Sequence, residues 1–201
     1  MATVAIVDYG VGNVRSVERA LAHVGATSVL TADHQELERA DGVVLPGVGA
    51  FAPALERLEQ RGLGRHLVDL AGRGKPLLGV CLGYQLLFDE SAERGRHRGL
   101  GLLPGAVVEV RGSERLPVIG WCRVAQTAES PLWEGIEDST YFYFVHSFTP
   151  ETSRFAVGAS EHSPAAAAVR RNVMGTQFHP EKSGPDGLRL YANFVALCAA
   201  G

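Results

Sequence analysis

The sequence predicts an α/β fold in which helices flank both faces of a doubly wound, mostly parallel sheet. In the first half of the chain, short and continuously apolar segments alternate with segments of helical periodicity, which is the β-α-β order of such a sheet. Glycine-rich turns follow several of the apolar segments. In a parallel sheet, the binding site lies at these carboxyl ends of the strands. With 201 residues the chain suits one domain with a sizeable core, and we expect a single domain over residues 1–201.

The first strand is expected over Thr3–Asp8, because its apolar residues are consecutive, as in a strand buried on both faces. The same grounds predict a helix over Ser16–His23, strands over Thr27–Leu30 and Gly42–Leu45, helical spacing between residues 54 and 70, and a strand over Lys75–Val80. The pattern then changes, since Ser91–Leu100 is polar and arginine-rich and indicates a surface loop. Beyond it we expect short strands over Ala106–Val110, Val118–Ala125, Thr140–Val145, Phe155–Ser160, Ala166–Arg170 and Val173–Gln177, and a closing helix over Leu188–Ala199.

Composition excludes several classes of protein. A formal net charge of −3 gives no electrostatic basis for binding nucleic acid, and no apolar stretch is long enough to cross a membrane. The first residues lead into a strand without a basic segment, so no signal peptide is expected. Cys81, Cys122 and Cys198 are widely spaced, which favours reduced thiols in the cytoplasm over a disulfide framework or a zinc site.

Cys81 is the centre of a G-x-C-x-G turn between an apolar strand and an apolar helical segment. The glycines at positions 79 and 83 allow a strained strand-to-helix turn to form without clashes of β-carbons. Such a turn lifts the sulfur out of the sheet. It also puts the backbone N–H of Leu82 at a helix N-terminus, which favours a thiolate and stabilises developing negative charge. A buried cysteine at a strand end is the alternative for this segment alone.

His179 is the candidate base for a nucleophilic Cys81, because it follows an apolar strand and a single proline separates it from Glu181. Side chains two residues apart at a strand end share a face, and Pro180 stiffens the pair. The Glu181 carboxylate would then hold the imidazole in the tautomer that accepts the thiol proton. Alone this segment is weak evidence, but together with Cys81 it predicts a catalytic triad.

A candidate oxyanion segment, Pro46–Gly49, follows the third strand, which is next to the strand of Cys81 in a doubly wound sheet. The backbone N–H groups expected to stabilise the oxygen of a thioester-forming intermediate belong to Gly47, Val48, Gly49 and Leu82. A plain glycine turn is equally compatible with this segment alone.

The chain resembles the class I glutamine amidotransferases over nearly its whole length. Three motifs carry the resemblance, P-G-V-G at 46–49, G-V-C-L-G-Y-Q at 79–85 and F-H-P-E at 178–181. Within that family it is similar to the glutaminase subunits of imidazole glycerol phosphate synthases, which act in histidine biosynthesis. The segments that narrow the resemblance are D-Y-G-V-G-N-V-R-S at 8–16, P-G-V-G-A-F at 46–51, G-W at 120–121, Y-F-V-H-S at 143–147 and H-P-E-K-S-G at 179–184.

The resemblance implies a flavodoxin-like fold with an additional smaller antiparallel sheet. It also implies that glutamine is hydrolysed through a glutamyl thioester on Cys81, with His179 as base and then acid and Glu181 orienting it. No metal or organic cofactor is implied. Glutamine would be bound by Gly49, Gln85, His146, Ser147 and Phe148.

A partner is implied as well. The ammonia would pass through a channel to a separate cyclase subunit, a (β/α)8 barrel that forms a heterodimer with this chain in the cytoplasm. The cyclase makes imidazole glycerol phosphate and an aminoimidazole carboxamide ribotide. The residues that match family positions near the cyclase interface are Asn13, Arg15, Trp121 and Lys182.

Two residues depart from the family pattern. Cys122 stands where the family has asparagine, which puts an interface bond from that side chain in doubt, since a thiol cannot replace an amide. Phe148 stands where tyrosine is common, which removes a hydroxyl near the substrate. Two alternatives stay open, namely the glutaminase subunit of a pyridoxal phosphate synthase, whose oxyanion segment typically runs P-G-G-E-S, and a non-catalytic regulatory subunit of the same fold.

Overall fold

The computed structural model describes residues 1–113 and 115–200. Within them the helices are α1 (Val14–His23), α2 (His34–Arg39), α3 (Phe51–Gln60), α4 (Leu63–Gly72), α5 (Leu82–Leu86) and α6 (Gly184–Ala200). The strands in the same residues are β1 (Thr3–Val7), β2 (Thr27–Thr31), β3 (Gly42–Leu45), β4 (Leu77–Val80), β5 (Phe88–Ser91), β6 (His97–Arg98), β7 (Leu103–Glu109), β8 (Val118–Gln126), β9 (Thr140–His146), β10 (Phe148–Pro150), β11 (Ala156–Ser160), β12 (Ser163–Arg170) and β13 (Val173–Thr176). Gly201, the last residue of the expected single domain, lies outside the described residues.

Nine strands of the described chain form one large sheet in the order β2-β1-β3-β4-β13-β12-β11-β8-β9. The strands from β2 to β13 in this order are parallel, and the remaining pairings are antiparallel. A second sheet has the order β10-β7-β5-β6, antiparallel at its two outer pairings and parallel between β5 and β7. The predicted doubly wound sheet with a smaller second sheet is confirmed, with one parallel pairing in the smaller sheet.

Apolar residues cover both faces of the large sheet, since successive side chains of a strand point to opposite faces. In β1, Val4 and Ile6 belong to the core that contains α1 and α6, whereas Ala5 and Val7 belong to the core that contains α2, α3 and α4. All four side chains are fully buried. Burial on both faces explains why the first strand is continuously apolar instead of alternating.

The parallel pairings bring the carboxyl ends of β3, β4 and β13 together. Leu45 pairs with Gly79, and Thr176 pairs with Val80. The segments that follow these three strands carry the predicted oxyanion residues, the predicted nucleophile and the predicted base. Residues far apart in sequence therefore meet at one edge of the sheet.

Several element boundaries differ from the sequence-based expectations. The helix α2 is not expected from the sequence, because it has a single buried residue, Leu37, and therefore shows no apolar periodicity. Its start is fixed by Asp33, whose carboxylate accepts hydrogen bonds from two backbone N–H groups. The expected loop over Ser91–Leu100 is wrong in part, because it contains β6 and the last residue of β5. The helix α6 begins at Gly184 and not at Leu188, since a G-P-D-G segment resembles a turn although proline suits the first turn of a helix.

No helix within the described residues has both the length and the apolar composition needed to cross a membrane.

Candidate active site

Cys81 lies between β4 and α5 in a backbone conformation that few non-glycine residues adopt. Its φ is 54° and its ψ is −111°, so the strained turn expected from the sequence is present. A β-carbon at Gly83 would lie 1.9 Å from the carbonyl oxygen of Leu45, and one at Gly79 would lie 2.7 Å from the Cα atom of Tyr84. The turn therefore requires both glycines. The helix after it has only five residues, which makes its dipole a weaker influence on the thiol than the sequence suggests.

Cys81 lines a cavity of about 240 Å³ at the carboxyl edge of the large sheet. Drug-sized ligands occupy pockets of roughly 300–1,000 Å³, so this cavity suits a molecule the size of an amino acid. Its lining residues are Val48, Gly49, Cys81, Leu82, Gln85, Glu93, Pro117, Val145, His146, Ser147, Phe148 and His179. The structure thus brings together Cys81, His179 and all the predicted glutamine-binding residues. Within the described residues, no group of three or more histidine, cysteine or carboxylate side chains is placed to hold a metal ion.

Three of the four predicted oxyanion residues, Val48, Gly49 and Leu82, line this cavity, whereas Gly47 does not. A β-carbon at Gly47 would lie 2.6 Å from the backbone nitrogen of Gly83, so Gly47 packs against the turn of Cys81. The oxyanion segment is held there by Tyr9, whose hydroxyl donates to the carbonyl oxygen of Pro46 at 2.7 Å. Burial raises the pKa of that hydroxyl, which keeps it a donor.

His179 and Glu181 form a buried pair. Nδ1 of His179 lies 2.8 Å from Oε1 of Glu181, and each side chain is 1% exposed. Because a carboxylate only accepts hydrogen bonds, Nδ1 carries a proton, and Nε2 is the atom available for proton exchange with Cys81. Burial lowers the pKa of His179, but the negative charges of Cys81 and Glu181 together raise it to about 10. The imidazole of His179 is therefore held protonated.

The prediction that His179 and Glu181 share one face at the end of a strand is wrong. The strand β13 ends at Thr176, and Glu181 lies in a single 3-10 turn over Pro180–Lys182, so the two side chains do not share a strand face. The turn is anchored instead by Ser183, whose hydroxyl donates to the carbonyl oxygen of His179 at 2.6 Å and accepts from the backbone of β9. Asn13 also supports the pair, since its Nδ2 atom donates to Oε1 of Glu181 at 3.4 Å.

Gln85 connects the nucleophile turn to the far wall of the cavity. Its Nε2 atom donates to the carbonyl oxygen of Phe148 at 2.7 Å and to Oε1 of Gln177 at 3.0 Å. Nε2 of Gln177 in turn lies 3.9 Å from Sγ of Cys81. With both amide hydrogens in use, Gln85 has only its carbonyl oxygen to offer a ligand.

His146 donates through Nδ1 to the same carbonyl oxygen of Phe148 at 3.0 Å. Burial lowers the pKa of His146 to about 4, so its imidazole is neutral near pH 7. His179 is therefore the charged histidine of this cavity, and His146 is the neutral one.

Two residues of this region, Glu93 and Gln177, are not among those predicted from the sequence. Glu93 lines the cavity and accepts a hydrogen bond from the backbone N–H of Phe51, but it lies among several charged residues that no pattern distinguishes. Gln177 is fully buried, and a glutamine directly after an apolar strand is a signal that could have identified it.

The predicted interface residues Trp121 and Lys182 both lie close to Tyr143. Trp121 pairs with Tyr143 across β8 and β9, with ring centroids 6.1 Å apart, and Nζ of Lys182 lies 5.6 Å from the centroid of the Tyr143 ring. Trp121 is 55% exposed, and the neighbouring Ile119 and Tyr141 are 63% and 50% exposed. We call these three exposed side chains the β8–β9 surface. Arg15 is exposed as well.

Cys122 follows Trp121 in β8 and therefore points to the opposite face of the strand. It packs against the core that contains α6, and burial raises the pKa of its thiol. The replacement of asparagine by cysteine thus does not alter the face that carries Trp121.

The chain is similar to known proteins over nearly its whole length. The family model described as glutamine amidotransferase class-I matches residues 5–198. A relative from Bacillus cereus strain G9842, named imidazole glycerol phosphate synthase subunit HisH, is 45% identical over 200 residues, which cover 98% of this chain and 96% of the relative. A Bacillus cytotoxicus protein of the same name is 44% identical over 197 residues, covering 96% of this chain and 94% of the relative.

Solved structures show the same fold at low identity. PurLQS from Thermotoga maritima matches with a TM-score of 0.78 at 20% identity, covering 98% of this chain and 99% of that chain. A structure described as a glutamine amidotransferase matches with a TM-score of 0.78 at 19% identity, covering 97% of this chain and 98% of that one. The chain belongs to the class-I glutamine amidotransferase family, within the group of HisH subunits of imidazole glycerol phosphate synthase.

Proposed function

We propose that this chain is the glutaminase subunit of an imidazole glycerol phosphate synthase, which hydrolyses L-glutamine to glutamate and ammonia for histidine biosynthesis. The observation that carries the proposal is the shared cavity of Cys81 and His179, with Glu181 bonded to the far side of the imidazole. A strained strand-to-helix turn, a base and an orienting carboxylate are the parts of a nucleophilic acyl-transfer site.

In the proposed reaction, the thiolate of Cys81 attacks the side-chain amide carbon of glutamine. The oxygen of the resulting tetrahedral intermediate accepts hydrogen bonds from backbone N–H groups at Leu82 and in the oxyanion segment, each contributing about 3 kcal/mol in the transition state. Nε2 of His179 gives its proton to the departing nitrogen, so ammonia leaves and a glutamyl thioester remains. The imidazole then removes a proton from water, which attacks the thioester and releases glutamate and the thiolate.

Glu93 is the proposed ligand of the α-ammonium group of glutamine. Glu93 is the acidic residue among those described as lining the cavity, and its carboxylate is separate from the His179–Glu181 pair. The carbonyl oxygen of Gln85 and the backbone of Gly49, Ser147 and Phe148 offer further polar groups for the amino-acid end and the amide. An ion pair in a cavity of this size favours glutamine over neutral amides.

We propose a cyclase subunit as the partner, docked on the β8–β9 surface, on Lys182 beside Tyr143 and on the exposed Arg15. Exposed aromatic and aliphatic side chains beside a cationic residue are the composition of a protein interface. Both relatives are named as subunits of a synthase, which supports an assembly with a second chain. Cys81, Cys122 and Cys198 are unpaired, which supports the cytoplasm as the compartment.

The experiment combines this chain with the cyclase subunit from the same organism and follows imidazole glycerol phosphate formation with either glutamine or an ammonium salt as nitrogen source. We expect the Cys81→Ala complex to lose the glutamine-dependent reaction and to keep the ammonium-dependent one, which controls for an intact cyclase. Glutamine-dependent product from Cys81→Ala would overturn the role of Cys81. A wild-type complex without glutamine-dependent product would overturn the assignment to this synthase.

A further inference from the structure

Nε2 of His179 has no hydrogen-bond partner within the described residues, which leaves it available for proton exchange. Two further buried atoms without a partner there are Oε2 of Glu181 and the hydroxyl of Tyr191, a fully buried residue of α6. The other carboxylate oxygen, Oε1, is already engaged by His179 and Asn13. Buried polar groups in folded proteins nearly always have a partner, so both atoms call for an explanation.

The helix α6 brings Tyr191 to the segment that carries Glu181. Gly187, near the start of α6, packs so closely on Pro180 that a β-carbon there would lie 1.9 Å from the carbonyl oxygen of Pro180. Tyr191 follows four residues later, so it shares this helix face about 6 Å further along the axis. Because helical side chains lean towards the N-terminus of their helix, we expect the phenol ring of Tyr191 to extend back towards Pro180 and Glu181.

We propose that Tyr191 is a positioning residue for Glu181, with its hydroxyl donating to Oε2 through one ordered water. Burial and the charge of Glu181 raise the pKa of this hydroxyl well above its usual value, so it stays protonated and acts as a donor. A donor on the second oxygen keeps the carboxylate ionised and fixes its rotation, so that Oε1 stays aligned with Nδ1 of His179. The inference rests on the proposed function, because it gives His179 the role of base.

Tyr191→Phe removes the hydroxyl and keeps the ring. In the complete complex with the cyclase, we expect kcat for glutamine hydrolysis to fall about three- to tenfold, which is the effect of losing one hydrogen bond. The KM for glutamine should stay within about twofold, since Tyr191 does not line the cavity. The acidic limb of the kcat/KM profile should move to higher pH, because a carboxylate that loses a donor binds its proton more tightly.

Tyr84→Phe is the matched control. Tyr84 is equally buried, and its hydroxyl donates to the carbonyl oxygen of Ala165 at 3.0 Å, away from Glu181. This variant loses one buried hydrogen bond and should leave the acidic limb in place. An acidic limb that moves in both variants, or in neither, would overturn the proposal.

A double-mutant cycle tests whether Tyr191 acts through Glu181. In a Glu181→Gln background, we expect Tyr191→Phe to lower kcat no further, because the charged acceptor is already gone. Equal fold-losses in the presence and absence of Glu181 would contradict the proposal. Failure of the proposed function gives a different result, since the wild-type complex would then release no glutamate at all.

Discussion

Oε2 of Glu93 accepts a hydrogen bond from the backbone N–H of Phe51 at 2.8 Å. The bond joins the segment after β5 to the first residue of α3, immediately beyond the oxyanion segment. Glu93 also lines the cavity of Cys81, so one carboxylate is both a helix cap and part of a ligand site. The cap and the ligand site can be separated by Glu93→Gln, because the amide oxygen still accepts from Phe51 while the negative charge is lost.

Glu93→Gln should therefore raise the KM for glutamine with a smaller effect on kcat. A hydrogen bond to a charged group contributes about 1.5–3 kcal/mol, which corresponds to roughly a 10- to 100-fold increase in KM. Steady-state glutamate release is the measurement. Glu90→Gln is the control, since Glu90 pairs with Arg96 outside the cavity, and an unchanged KM in Glu93→Gln would contradict the assignment of the α-ammonium ligand.

The charge on His179 should depend on Cys81. Burial alone lowers the pKa of this imidazole, while the charge of Cys81 contributes to raising it to about 10. In Cys81→Ala we expect the pKa of His179 to fall, because one of the two negative neighbours is lost. Titration of the imidazole C–H resonances by NMR measures this change, and an unaltered pKa would mean that Cys81 is not a thiolate in the resting protein.

His146 should make the protein less stable in acid. Its pKa in the folded chain is about 4 against an ordinary value of 6.5, so the unfolded chain binds more protons between these values. The free energy of unfolding then rises with pH through this window, and up to about 3 kcal/mol is lost as the pH falls from 6.5 to 4.

Denaturant unfolding at several pH values tests the contribution of His146. The His146→Gln variant should lose much of the pH dependence in this window, whereas His23→Gln, at an exposed position of α1, should keep it. Equal slopes in all three proteins would show that His146 is not the group responsible.

Trp121→Ala should weaken binding of the cyclase. Central aromatic residues of interfaces typically contribute 2 kcal/mol or more, so we expect Kd to rise roughly 30-fold. Isothermal titration with the purified partner provides the measurement. Leu30→Ala is the control, because Leu30 is an exposed apolar residue of β2 at the other end of the large sheet. A larger effect from Leu30 than from Trp121 would place the partner at the opposite edge.

The sequence predicts the parts of this fold that depend on local pattern. The apolar segment of β1 and the glycines around Cys81 are each explained by their immediate surroundings, namely burial on two faces and the approach of Leu45 to Gly83. The helix α2 and the strand β6 escape prediction because they are too short to show a period.

The site is predictable where a motif carries it and not where distant segments meet. His179 and Glu181 are found as a motif, although the 3-10 turn that pairs them is not. The contribution of Glu93 depends on a bond to Phe51, 42 residues away in sequence, and nothing local to either residue indicates it. Tyr191 is likewise one residue on the apolar face of a long helix, and only its buried, unpartnered hydroxyl distinguishes it.

The strand β13 lies between β4 and β12, so the ribosome completes the middle of the large sheet almost last. Until then the nascent chain has an unpaired, wholly apolar edge at β4, which is a template for aggregation. His179 follows β13 in sequence, and the thiol of Cys81 gains its imidazole only when this strand inserts. A translation product cut short before residue 173 would lack His179 and Glu181 and leave this edge unpaired, so we expect it to be inert towards glutamine and prone to aggregate.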